Sequence, residues 1–182
     1  MNHPRILVAG VGNIFLGDDA FGSEVARRLA CRPLPDGVRV VDFGIRGLDL
    51  TYALLDSYEA VILVDAVPRG GRPGTLYVLE PAPSPGEAVP AVEGHNLDPA
   101  NVLRLAAAMG GQVGRLLLVG CEPSPPDEAD EMRAGLSAPV QAAADEAVVL
   151  IESLVGRLLR SEAPGAEGYG INPGKEVGTC RE

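Results

Sequence analysis

The 182-residue chain contains a single lysine, no tryptophan, two histidines and three cysteines, and aromatic residues make up only 4% of it. Basic residues are few enough to leave a formal net charge of −10. That excludes the cationic face that a phosphate backbone or an anionic membrane surface requires, so neither nucleic acid nor membrane is expected as a partner. Cys31, Cys121 and Cys180 are widely spaced, odd in number and without a Cys-x-x-Cys, so they imply no disulfide framework. No apolar run approaches the about 18 residues of a membrane span. The opening MNHPRILVAG runs straight into a strand-like segment rather than through the charged and apolar regions of a signal peptide. These absences predict a cytoplasmic protein. Also missing are the G-x-S-x-G elbow, H-E-x-x-H and the phosphate-binding G-x-x-x-x-G-K-[ST].

What remains is an aliphatic protein. Apolar residues make up 46% of the chain, enough for one compact domain with a core of Val, Leu, Ile and Ala. That domain is expected over 1–160, followed by a loose tail over 161–182 that has Gly and Pro but no apolar periodicity. Apolar runs bounded by turn residues predict strands at Arg5–Ala9, Val38–Phe43, Ala60–Val67, Thr75–Leu79 and Leu116–Cys121. The first, third and fifth are nearly continuous in branched residues, as in parallel strands covered on both faces. Helices are predicted at Asp19–Ala30, Leu48–Leu55 and Asp98–Met109. A last one follows Ser137 as N-cap, with Val140, Ala143, Ala144, Ala147, Val148, Ile151, Leu154, Val155 and Leu158 on one stripe. The link PRGGRPG is too short for a crossover helix, so the fourth strand is predicted antiparallel and the sheet mixed. Pro81–Glu93 and Glu122–Arg133 read as loops.

The chemistry gathers in four places. GVGNIFLGDDAFG, after the first strand, begins like a dinucleotide cradle, but Phe15 stands where the third glycine of G-x-G-x-x-G belongs. Two carboxylates, Asp18 and Asp19, then occupy the place where a phosphate would lie. Asp42, near the end of the second strand, imitates a ribose-binding acid, yet no Lys or Arg is near the glycine turn in sequence. The charge sign points to a cation rather than a nucleotide. Asp18 can instead simply cap a helix. Asp65 closes the run AVILVD at the carboxyl end of the third strand, where ligands of open α/β sheets bind; it can equally accept loop amides. His95, in EGHNLDPANVL, sits between a loop and a helix start, with Glu93 and Asp98 near enough to orient it, and is either functional or a surface histidine. Asp19, Asp65 and His95 together form an O, O, N set suited to zinc or nickel, with coordination positions left open. Cys121 reads as a buried, inert thiol. A free-standing metallohydrolase with its own divalent ion and a nucleotide-binding module both remain alternatives at this point.

Several segments occur together and in order: GVGNIFLGDDAFG, DFGIRGLDL, VILVDAV and GHNLDP, with weaker LLLVGCEP and GLSAPVQAAADEAVVLI. In this the chain resembles the hydrogenase maturation proteases over roughly residues 5–155. The resemblance implies a three-layer α/β/α sandwich with a mixed five-stranded sheet of order 2-1-3-5-4, strand four antiparallel. It implies an endopeptidase that removes the C-terminal extension of the nickel-loaded large-subunit precursor of a NiFe hydrogenase. It also implies that Asp19, Asp65 and His95 occupy the family's metal-contacting positions, that the nickel is carried by the substrate, and that zinc or cadmium can stand in for it in vitro. Many members have Glu where this chain has Asp19.

Overall fold

The computed structural model describes residues 5–80, 99–125 and 135–160. Five strands, β1 (Ile6–Val11), β2 (Val38–Gly44), β3 (Ala60–Ala66), β4 (Leu76–Leu79) and β5 (Arg115–Cys121), and four α-helices, α1 (Phe21–Ala30), α2 (Gly47–Ala53), α3 (Pro99–Ala108) and α4 (Ala138–Arg160), follow in the order β1-α1-β2-α2-β3-β4-α3-β5-α4 among the described residues. They form one sheet of order β2-β1-β3-β5-β4. All neighbours are parallel except β4, which runs antiparallel to β5. The sheet is therefore the mixed 2-1-3-5-4 sheet that the resemblance implies.

Alternation along the strands builds two cores. Ile6 and Val8 of β1 and Ala60, Ile62 and Val64 of β3 face α1 and α4. Leu7, Ala9 and Val11 of β1 and Val61 and Leu63 of β3 face α2 and α3. Successive side chains of a strand point to opposite faces, so a continuous Val/Ile/Leu run serves both layers at once. Each such side chain fully withdrawn from water stabilises the fold by about 1.5–3 kcal/mol. The stripe on α4 is buried at Val140, Ala143, Ala144, Ala147, Val148, Ile151, Leu154 and Val155, while Leu158 packs at its margin.

Two expectations shift. The predicted helix Asp19–Ala30 begins instead as a 3-10 turn, Gly17–Ala20, and becomes α-helical only at Phe21. The second helix ends in another 3-10 turn, Leu54–Asp56. Asp18 does not cap its own helix; its carboxylate is taken up by distant groups. The short β3–β4 link is also explained. It arches over the end of β5, with the Val67 amide donating to the Cys121 carbonyl at 2.8 Å and the Glu122 amide to the Thr75 carbonyl at 2.9 Å. The expected tail over 161–182 and the loop Pro81–Glu93 lie outside the described residues.

Candidate active site

The carboxyl ends of β1, β2, β3 and β5 share one rim, and the glycines of the first loop determine what stands there. A Cβ on Gly22 would overlap the carbonyl oxygens of Val64 and Val11, and one on Gly10 would overlap the Gly22 carbonyl. These positions let the start of α1 lie directly on β1 and β3. Gly12 has φ +140° and passes against the Asp19 carbonyl, a conformation and a proximity that no other residue tolerates. The 3-10 turn carrying Asp18 and Asp19 thereby packs against β3, whose Val64 immediately precedes Asp65.

Asp19 is exposed, and its Oδ2 accepts the Asn13 amide at 2.8 Å. The loop does bind an anion, but the anion is its own side chain. An amide that would face a phosphate in a dinucleotide site is already occupied, and this removes the physical basis for the nucleotide reading. Asp42, the supposed ribose acid, likewise turns back onto the Gly44 amide at 2.9 Å. Asp65 is half-buried at the end of β3, and its Oδ1 accepts the Ala66 amide at 2.8 Å. Asp19 and Asp65 are thus brought to the same rim. His95, with its neighbours Glu93 and Asp98, lies outside the described residues. Among the described residues no set of three His, Cys, Asp or Glu side chains is placed to hold a metal ion.

Asp18 has a different task. Its Oδ1 accepts the Ser137 amide at 2.6 Å, and its Oδ2 accepts the Ser124 amide and the Ser137 hydroxyl, each at 2.8 Å. One carboxylate thus joins both ends of the β5–α4 connection to the turn that carries Asp19. Burial pushes its pKa up, but the donated bonds from Ser137 and Ser124 outweigh this and leave it below the ordinary 3.8. Ser137 does occupy the N-cap position, its carbonyl accepting the Gln141 amide at 2.8 Å. Its hydroxyl serves Asp18 rather than α4.

Glu122 was missed as a site feature in the sequence, where it reads as the first acid of a loop. It is 4% exposed and accepts the Tyr77 hydroxyl at 2.7 Å and the amides of Arg69 at 2.9 Å and Gly70 at 3.1 Å. It holds the β3–β4 arch, with the Arg69 guanidinium 5.3 Å from the centre of the Tyr77 ring. Desolvation raises the Glu122 pKa, and the Tyr77 hydroxyl and the amides of Arg69, Gly71 and Gly70 more than reverse it. The available signal was an acid directly after an apolar strand, the same placement that singled out Asp65. Cys121 is fully buried, and desolvation, reinforced by the Asp18, Glu122 and Glu146 carboxylates, pushes its thiol up to about 12. It is the inert thiol expected.

The architecture and rim define the class: a three-layer α/β protein whose carboxyl edge presents carboxylates rather than a phosphate cradle. The comparisons give the family. The family model described as hydrogenase maturation protease, HycI, matches residues 23–154. The hydrogenase expression/formation protein HoxM of Azotobacter vinelandii is 33% identical over 181 residues, covering 95% of this chain and 83% of its own. The hydrogenase 2 maturation protease of Escherichia coli is 33% identical over 145 residues, covering 79% of this chain and 86% of its own. The solved hydrogenase maturating endopeptidase HybD of E. coli matches with a TM-score of 0.66 at 31% identity, over 84% of this chain and 93% of that one. The chain belongs to the hydrogenase maturation protease family and is a peptidase.

Proposed function

We propose that this peptidase removes the C-terminal extension of a nickel-loaded NiFe-hydrogenase large-subunit precursor, and that Asp19, Asp65 and His95 contact the nickel carried by that substrate. The observation that supports the reading is the packing of the 3-10 turn that bears Asp19 against β3, whose carboxyl end bears Asp65. Asp19 is delivered by the glycine-dependent turn on β3, and Asp65 by β3 itself. Carboxylate oxygens and an imidazole nitrogen suit a borderline divalent ion. Gripping a metal already seated in the substrate restricts cleavage to finished precursor and positions the scissile peptide against the rim. Hydrolysis then requires water to add to the peptide carbonyl carbon, the C–N bond to break, and the proton released by water to reach the departing amine. The exposed Asp19 carboxylate is the candidate carrier of that proton.

The test is incubation with nickel-loaded and nickel-free precursor, followed by mass measurement of the C-terminus. Cleavage of the loaded form alone is expected, and it should be abolished in Asp19→Asn, Asp65→Asn and His95→Ala variants whose melting curves match the wild type. Turnover unchanged in all three variants rejects the assignment. Elemental analysis separates this from a free-standing metallohydrolase, which would carry a stoichiometric metal such as zinc through purification and cleave general peptides.

A further inference from the structure

The β1–α1 loop presents three consecutive large apolar side chains to solvent: Ile14, Phe15 and Leu16, at 55%, 64% and 51% exposure. The β2–α2 connection and the first turn of α2 present Ile45 and Leu48 in the same way, at 61% and 57%. The two segments leave the same rim side by side, since β1 and β2 are parallel neighbours and the Gly12 amide donates to the Gly44 carbonyl at 3.1 Å. Most of the exposed large apolar residues among those described therefore gather at one edge of the molecule. The loop is rigidly built. Asn13 Oδ1 accepts the Phe15 amide at 3.0 Å, the Asn13 carbonyl accepts the Leu16 amide at 3.1 Å, and the Leu16 carbonyl accepts the Asp19 amide at 3.1 Å. The Asn13 amide in turn donates to the Asp19 carboxylate. Apolar residues held outward on an internally bonded turn are not a floppy tip; a contiguous apolar patch of this kind marks a contact surface, and its rigidity lowers the entropy lost when a partner seats on it.

We propose that Ile14, Phe15 and Leu16, extended by Ile45 and Leu48, form the docking face for the body of the large-subunit precursor, distinct from the residues that meet its metal and scissile bond. This rests on the reading of Asp19 given above, because the choice of occupant comes from continuity. Leu16 and Asp19 belong to one hydrogen-bonded turn, which sets the apolar face beside the carboxylate assigned to the substrate. Charge narrows the occupant's chemistry. Asp19, Asp42 and Asp49 are exposed around the patch, and Arg46 is engaged by the Asp42 carbonyl at 2.8 Å and the Asp49 carboxylate at 3.6 Å. The matching surface is an apolar strip flanked by basic side chains.

The experiment compares wild type, the double variant Phe15→Ser/Leu16→Ser and Asp19→Asn, all full-length, for binding to the nickel-loaded precursor by calorimetry and for its cleavage. The double variant should melt with the wild type, since both side chains are exposed. It should raise KM by about tenfold or more with kcat held within about twofold, and its binding should weaken in parallel. Asp19→Asn should still bind. Wild-type affinity and KM in the double variant overturn the proposal, as does a wild type that shows no binding to the precursor. So does a wild-type dimer that the double variant dissociates while precursor binding is unchanged, which would assign the face to a second copy of the chain. Loss of binding in the double variant alongside normal cleavage by Asp19→Asn would uphold the docking face and reject the assignment of Asp19.

Discussion

Adjacent acids with opposite tasks are the main lesson at the scale of the residue. Asp18 and Asp19 are one peptide bond apart, yet one spends both oxygens on Ser124 and Ser137 while the other, among the described residues, meets a single loop amide and remains exposed. Their replacements should therefore separate stability from activity. Asp18→Ala leaves the Ser124 and Ser137 amides without their acceptor and should lower unfolding stability by about 1–3 kcal/mol, at the lower end where water reaches the gap. Asp19→Ala should cost about 1 kcal/mol or less, because water readily replaces the carboxylate on Asn13, while cleavage of the precursor is lost. Urea unfolding and the precursor assay, run on both variants, check this. Equal stability losses would mean that the division of labour is wrong. The sequence shows that two acids in a row are more than a cap needs. It does not show which is which, because the partners of Asp18 lie more than a hundred positions away.

Elements were largely legible because their signals are local. The α4 stripe buries at the positions its 3.6 periodicity selects, and the apolar runs of β1, β3 and β5 become strands covered on both faces. The onset of α1 was less legible: a 3-10 turn and the first turn of an α-helix share residue preferences, and the choice is made by the packing of Gly10, Gly12 and Gly22 under the loop. The glycine spacing resembles a phosphate cradle for the same physical reason that it works here, namely close approach of a helix to strand ends. The consequence is testable. Gly22→Ala sets a methyl group against the carbonyl oxygens of Val64 and Val11, which are backbone atoms and cannot rotate away. It should destabilise by about 3 kcal/mol, toward the upper end for overpacking. If α1 is instead pushed off the sheet, Asp19 separates from Asp65 and cleavage falls while the fold persists. Thermal unfolding with the precursor assay distinguishes these, and a variant indistinguishable from wild type in both would refute the close-packing account.

For the molecule as a whole, acidity is a condition of its stability. Asp18, Glu24, Glu59, Glu80 and Glu122 all sit below their ordinary values of 3.8 for Asp and 4.5 for Glu. For Glu59 and Glu80 the largest cause is a bond from Arg5 or Arg115. For the others, donated bonds overcome the opposing effect of burial. A carboxyl group whose folded value is depressed contributes stability that is present above its unfolded value and is lost as pH falls through the folded one. Stability should therefore hold from neutral pH down to about pH 5 and decline below about pH 4. Glu122 isolates one contribution, since its acceptors face only donors: the Tyr77 hydroxyl and the amides of the β3–β4 arch. Glu122→Gln keeps the shape but turns an NH2 group toward those donors. The variant should unfold at lower urea than wild type at neutral pH, and the gap should narrow as pH falls through the depressed Glu122 value, where the wild-type carboxylate takes up its proton. The arch follows directly from Asp65, so precursor cleavage should weaken along with stability at neutral pH. A gap that stays constant across the acid range would show that the arch depends on the shape of residue 122 and not on its charge.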